Sequence, residues 1–322
     1  MKYYKVLYIY LLYLTNMQHA NPSYYTLANN QRIPIIGLGT ADMNNVANVV
    51  YASIKSGVRL IDTAERYQNE TQVGEGIKRA IDDKIVTREE LFIITKLSTY
   101  EKTDPINGCL QSLKRLQVEY VDLFLDHWPS SPKIKNGKVF PSEPLHVYWP
   151  KMEALVEQGY AKGIGVCNFN VQSICNLLSF CKIKPVVLQV EYHPYLYQKS
   201  LREFCRRFNI QMMAYNSLCK GAYVYLHDKE VQVDLLKEEV IIKMAEKYKV
   251  TPGQIAINWS IAQGIVVIPR TSREDRMEEN LKSVEFKLKE EEVEEIAKAL
   301  NKNVRFNTSL IWGSYDGIDV FA

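Results

Sequence analysis

Four residues whose types can hold and move a proton stand at the ends of short apolar runs. Val58-Arg59-Leu60-Ile61 ends in Asp62, and Tyr67 follows in the next loop. Leu91 to Thr95 ends in Lys96, and Val121 to Asp126 ends in His127. A free phenol has a pKa of about 10 and is a poor donor at neutral pH unless that value moves toward the working range. A lysine beside it would favour the phenolate and lower the value, and an aspartate would keep the lysine charged and in place. Singly these residues say little, because a strand-end Asp–Lys pair is commonly structural and a lone tyrosine commonly core. Together on one rim they are a candidate acid–base set.

The elements that must bring them together follow from periodicity. A short apolar strand ending in an acid, then a loop, then a helix is one βα unit, and parallel α/β folds collect chemistry at the C-terminal ends of strands. Counted from Ile36, eight such strands occur, at 58–61, 91–95, 121–125, 161–166, 186–188, 210–214 and 265–268 after the first. Helical patterns over 46–55, 70–81, 103–116, 149–158, 171–180, 200–208, 240–248, 252–262, 274–281 and 290–300 separate or follow them. A hairpin is expected over Tyr24–Ile36, and the Pro/Ser-rich stretch Pro129–Pro144 reads as an exposed loop. No linker divides the units. Strict alternation means a parallel sheet, and eight units in one domain favour a closed (β/α)8 barrel over residues 21–322. Gly37-Leu38-Gly39 lacks the third glycine of the dinucleotide fingerprint, which points away from an open doubly wound sheet.

Composition narrows the function. At 322 residues with 47% apolar content the chain can build a full core. A net charge of +3 with no long basic run gives no footprint for nucleic acid. Six cysteines form no CxxC pair and read as reduced thiols, and no metal-ligand spacing occurs. Residues 1–20 carry a basic head, an apolar run over Val6–Leu14 and Ala20 at a cleavage-like position. That segment reads either as a signal or anchor or as a start-site extension. A cytoplasmic location is expected unless it functions, and then a secretory one. Sequons at Asn69 and Asn258 fall beside the proposed site and inside an apolar helix, which argues against secretion; only Asn307-Thr308-Ser309 falls in a surface-like segment.

The motifs, in order from Arg32 to Asn307, resemble the aldo-keto reductase family. They are Gly37-Leu38-Gly39-Thr40, Asp62-Thr63-Ala64 with Tyr67-Gln68-Asn69-Glu70, Thr95-Lys96, and His127-Trp128-Pro129. Gly163 to Phe169, Gln189 to Tyr195, and Ile268-Pro269-Arg270-Thr271 through Arg276 to Glu279-Asn280 complete the set. The tail, Ala299 to Asn307 with a final Val320-Phe321-Ala322, is similar to fungal-type xylose and aldose reductases. The resemblance implies NADPH-dependent reduction of aldehydes or aldoses, ketones being a further option, to alcohols. No side chain donates hydride, so a nicotinamide is implied. In that reading Tyr67 is the acid, Lys96 tunes it, Asp62 anchors Lys96, and His127 orients the carbonyl oxygen. Trp128 joins Tyr67 and His127 at the substrate.

The implied cofactor residues are Gly39, Thr40, Cys167, Asn168, Gln189, Tyr215, Arg270, Thr271, Arg276, Glu279 and Asn280. Asn168 and Gln189 would hold the carboxamide and Tyr215 would stack on the ring. Cys167 stands where the family has serine, and a thiol is a weaker hydrogen-bond partner. Arg270, where lysine is usual, would with Thr271 and Arg276 hold the 2′-phosphate. NADPH is favoured and NADH stays open. Rim loops (Trp128, Asn216–Asp234, and the tail with Phe306, Trp312 and Tyr315) would wall a pocket for small aldehydes or sugars. Ala41-Asp42 replaces a tryptophan that many relatives carry, and Thr308 stands where fungal sugar reductases usually have aspartate; both depart from a xylose-specific pattern. The competing reading is a non-catalytic NADPH-binding member of the same family. A monomer or homodimer is expected.

Overall fold

The computed structural model describes residues 23–99, 101–129, 133–135, 138–140, 143–219 and 234–307. The N-terminal segment 1–20, most of the Asn216–Asp234 loop, Thr308 and the tail with Trp312 and Tyr315 lie outside the described residues.

Strands β1 (Tyr24–Thr26) and β2 (Arg32–Pro34) pair antiparallel as the expected hairpin. Eight strands then form one parallel sheet: β3 (Leu38–Gly39), β4 (Leu60–Asp62), β5 (Phe92–Leu97), β6 (Leu123–Asp126), β9 (Ile164–Cys167), β10 (Val187–Glu191), β11 (Gln211–Tyr215) and β12 (Val266–Val267). Neighbours in the sheet are neighbours in this series. The first and last strands meet where Gly37 N donates to Val267 O (2.9 Å) and Val267 N to Ile35 O (2.8 Å), closing the (β/α)8 barrel. The helices between strands are α1 (Val46–Lys55), α2 (Glu70–Asp82), α3 (Pro105–Leu116), α4 (Leu145–Glu157), α5 (Val171–Leu178) and α6 (Lys199–Arg207). Helices α7 (Glu239–Tyr248) and α8 (Pro252–Ile261) follow β11, and α9 (Glu274–Leu281) and α10 (Glu290–Leu300) follow β12.

Two apolar clusters show how the period-2 alternation of strands works here. Leu60, Phe92, Ile94, Leu123, Leu125, Val187, Met213 and Val266 point into the barrel, with Leu27 and Ile33 of the hairpin packed among them. Ile61, Ile93, Phe124, Val166, Leu188 and Ala214 point outward under the helices. Parity then aims Asp62, Lys96, His127, Gln189 and Tyr215 inward at the C-terminal rim, and turns Asp126 outward.

Two expectations are corrected. The stretch 129–144 is not all loop, because β7 (Lys133–Lys135) pairs antiparallel with β8 (Lys138–Phe140). The two runs flank an Asn136-Gly137 dipeptide, a strong hairpin signal that the proline and serine content obscured. Helix α4 begins at Leu145 rather than Trp149, so Pro150 lies inside it. Pro150 thus sits in the second turn, where Tyr148 and Trp149 are fully buried and hold the helix against the barrel.

Candidate active site

Lys96 is fully buried, which is rare for an ammonium unless every donor is matched. All three are matched. Lys96 Nζ donates to Asp62 Oδ1 at 2.6 Å, to the Thr63 carbonyl at 2.8 Å and to the Tyr67 hydroxyl oxygen at 3.2 Å. The other carboxylate oxygen, Asp62 Oδ2, accepts from Gln189 Nε2 at 2.7 Å. Thr40 N and Oγ1 each donate to the Asp62 carbonyl at 3.0 Å, so the first turn braces the strand end that carries the acid. Gly39 lets that turn approach β12, since a Cβ there would lie 2.8 Å from Ile268 O.

The Tyr67 and His127 rings meet edge to face, with centroids 5.8 Å apart and planes at 80°. Burial pushes the Tyr67 phenol well above its ordinary value, and the nearby Asp62 charge pushes the same way. That corrects the expectation that Lys96 brings the value down: in this state burial and the Asp62 charge prevail, and the phenol keeps its proton. Burial pulls the His127 imidazole well below its ordinary value, and the charges of Lys96, Arg66 and Lys102 add to the effect. The ring is therefore neutral. Burial also raises Asp62, against the opposing pull of Lys96 and the Gln189 hydrogen bond.

Asp62, Tyr67 and His127 face one cleft that opens to solvent, with Lys96 buried behind them. Gly39, Asp62, Tyr67, His127, Trp128, Cys167, Asn168, Gln189, Tyr215 and Arg270 all line it. The amides form a chain: Asn168 Nδ2 donates to His127 O (3.0 Å), and Asn168 Oδ1 accepts from Tyr215 OH (2.7 Å). Burial raises the Cys167 thiol, which lies 3.7 Å from Gln189 Oε1 and stays protonated. Ala41 lines the wall where a tryptophan would narrow it, and Arg270 Nη1 donates to the carbonyls of Ala41 (3.0 Å) and Asp42 (2.8 Å).

Thr271, Arg276, Glu279 and Asn280 stand apart from the cleft, on the segment after β12. Arg276 Nη1 is held by both oxygens of Glu279, at 2.7 and 2.8 Å, and Glu279 also accepts from Thr251 Oγ1 at 2.7 Å. Glu279 is thus an orienting group for the cation rather than a group facing the cleft.

Sequence reasoning passed over Asn307 and Glu191. Asn307, expected at the surface, is only 9% exposed, and its Nδ2 donates to Tyr215 OH at 2.9 Å. Glu191 is fully buried and receives Asn216 Nδ2 (2.8 Å), His193 Nε2 (3.1 Å) and the backbone N–H groups of Phe306 and Asn307. The signal was a lone charge within the apolar strand Val187–Glu191.

The sequence model of the Aldo/keto reductase family matches residues 35–301. A protein named NADH-dependent D-xylose reductase from Candida parapsilosis is 39% identical over 303 residues, covering 87% of this chain and 93% of that protein. One named NADPH-dependent D-xylose reductase from Candida boidinii is 38% identical, covering 89% of this chain and 96% of its own length. Among solved structures, a Bombyx mori aldo-keto reductase in complex with NADP superposes with a TM-score of 0.83 at 33% identity, covering 92% of this chain and 98% of that one. Barrel, motif order and relatives agree, and the chain belongs to the aldo/keto reductase family.

Proposed function

We propose that this protein reduces small aldehydes, aldoses among them, to alcohols, with NADPH as reductant and Tyr67 as proton donor. The observation that carries the reading is the Tyr67 hydroxyl, 3.2 Å from the buried Lys96 ammonium and facing the same cleft as His127.

The cleft suits a nicotinamide nucleotide on its own residues. Tyr215, Leu218, Ile268 and Pro269 offer a flat apolar wall, Asn168 and Gln189 offer amides, and Arg270 puts a cation at one edge. A bound dihydronicotinamide supplies the hydride that no side chain can. The chain's residues do the rest. The neutral His127 hydrogen-bonds the carbonyl oxygen and orients it. Tyr67, protonated at neutral pH, gives its proton to that oxygen as negative charge builds on it. Lys96, held in place by Asp62, stabilises the phenolate left behind. Trp128 and Leu218 line the cleft beside the reacting centre. Support for aldoses comes from the relatives' names, and support for either nicotinamide comes from their being NADH- and NADPH-dependent.

The test is to mix residues 21–322 with NADPH and xylose, glyceraldehyde or a nitrobenzaldehyde and follow the loss of NADPH absorbance. Turnover supports the reductase reading and ranks the substrates. Tight NADPH binding without turnover on any aldehyde would replace it with the binding-protein reading.

A further inference from the structure

The Lys96 constellation, built on β4 and β5, has a double on the outward side of the barrel at the end of β6. Lys102 is 1% exposed, and its Nζ donates to Asp126 Oδ2 (3.1 Å), to the Trp128 carbonyl (2.5 Å) and to the Tyr148 hydroxyl oxygen (2.9 Å). Lys96 has the same three kinds of acceptor: a carboxylate, a backbone carbonyl and a phenol. The difference lies in the phenol. Tyr148 is fully buried in α4 and turns its hydroxyl onto Asp126 Oδ2 at 2.5 Å, closing the ring. Tyr148, Lys102 and Asp126 do not line the cleft, so this set delivers no proton to a bound molecule.

What it grips is the chain on either side of His127. Asp126 and Trp128 are the neighbours of His127 in sequence, and one ammonium binds both. Asn168 holds the His127 carbonyl between them. His127 Nδ1, in contrast, has no hydrogen-bond partner among the described residues. A catalytic imidazole is usually oriented by a bond to its second nitrogen. Here the aim of the ring rests on its backbone and on the Tyr67 edge contact.

We propose that Lys102, with Asp126 and Tyr148, positions His127 and Trp128 in the cleft by pinning the backbone on both sides of the imidazole. This rests on the reductase reading above for its kinetic consequence. A buried ion pair adds little net stability over apolar residues of similar volume, so stability alone is a weak reason for this one. Placement of a group against the reacting atom is a stronger one, because a shift of about 1 Å can lower a rate about 100-fold. The Lys102 charge also helps hold the imidazole neutral.

The test variant is Lys102→Met with Asp126→Leu, since either change alone strands a buried polar group and can unfold the protein for that reason. Tyr148→Phe, which removes one hydroxyl, is the milder companion. Expected in the double variant are a thermal midpoint below wild type, because the Trp128 carbonyl and the Tyr148 hydroxyl lose their partners there, an unchanged Kd for NADPH, and kcat/KM for the aldehyde down about 10- to 100-fold at a temperature where the variant is folded. The imidazole nitrogen resonances of His127 should be sharp in wild type and broaden or double in the variant. The same changes, smaller, are expected in Tyr148→Phe. Unchanged kcat/KM and unchanged His127 resonances in a folded variant would overturn the proposal. If the wild type turned over no aldehyde, the reductase reading would fall, and the His127 resonances alone would still decide this one.

Discussion

Changing Glu191 to Gln tests how the C-terminal segment is fastened over the cleft. Oε1 receives His193 Nε2 (3.1 Å) and Asn216 Nδ2 (2.8 Å), and Oε2 receives the backbone N–H of Phe306 (3.1 Å) and of Asn307 (2.9 Å). An amide keeps the shape but replaces one acceptor with a donor. With the NH₂ at the Oε2 position, Phe306 N can still reach the remaining oxygen, at 3.2 Å, but Asn307 N faces another N–H. At least one charge-assisted bond is lost and the others become neutral. At about 1.5–3 kcal/mol for a bond to a charged group, the segment loosens by roughly 2–4 kcal/mol. Amide hydrogen exchange at Phe306 and Asn307 reads that opening directly. At about 1.4 kcal/mol per factor of ten, exchange should accelerate about 30- to 1,000-fold. Unchanged exchange at both amides would refute the clamp. The pH dependence has a definite sign. Burial is the largest influence on Glu191 and pushes its carboxyl up, but the bonds from His193, Asn307 and Asn216 bring it net below the ordinary value. A lowered folded value means the clamp is intact above the unfolded value of about 4.3 and is lost as pH falls through the folded one. The Phe306 and Asn307 amides should therefore stay protected at neutral pH and lose protection only as pH falls below the ordinary carboxylate range.

Two further outcomes follow from single positions. Gly39→Ala puts a Cβ 2.8 Å from the Ile268 carbonyl, where backbone must shift; a loss of about 1–3 kcal/mol in denaturant unfolding is expected, and an unchanged midpoint would show that the turn has room. Arg276→Ala removes the cation that Glu279 orients, and the Kd for NADPH should rise more than that for NADH, by about tenfold. Equal changes for the two nucleotides would place the 2′-phosphate elsewhere.

Much of the site was legible because strand parity is local. The runs ending at Asp62, Lys96 and His127, and at Gln189 and Tyr215, announce both the strand and the end at which a polar side chain turns inward. The residues that escaped are joined across the chain. Lys102, Asp126 and Tyr148 come from a loop, a strand and a helix, and nothing in their spacing says that they meet. Asn307 looked like surface because polar Thr308 and Ser309 follow it as a sequon, yet Glu191 draws its backbone into the barrel mouth. The Tyr67 phenol was expected to fall in pKa from the charge nearest to it, and burial, which no linear pattern reports, moved it the other way. The start of helix α4 was misplaced because packing of Tyr148 and Trp149 carries the helix back past Pro150, and the β7–β8 hairpin was missed because the proline and serine content hid a local Asn-Gly signal.

The most direct measurement compares Tyr67→Phe with wild type in the NADPH–aldehyde assay, alongside the NADPH Kd of each. The variant keeps the ring that packs edge to face with His127 and loses only the hydroxyl that Lys96 contacts. Expected are a kcat lower by about 100- to 10,000-fold and a Kd within about twofold of wild type. A variant that retained most of the wild-type kcat would contradict the assignment of Tyr67 as the proton donor, and with it the role given to the buried Asp62–Lys96 pair.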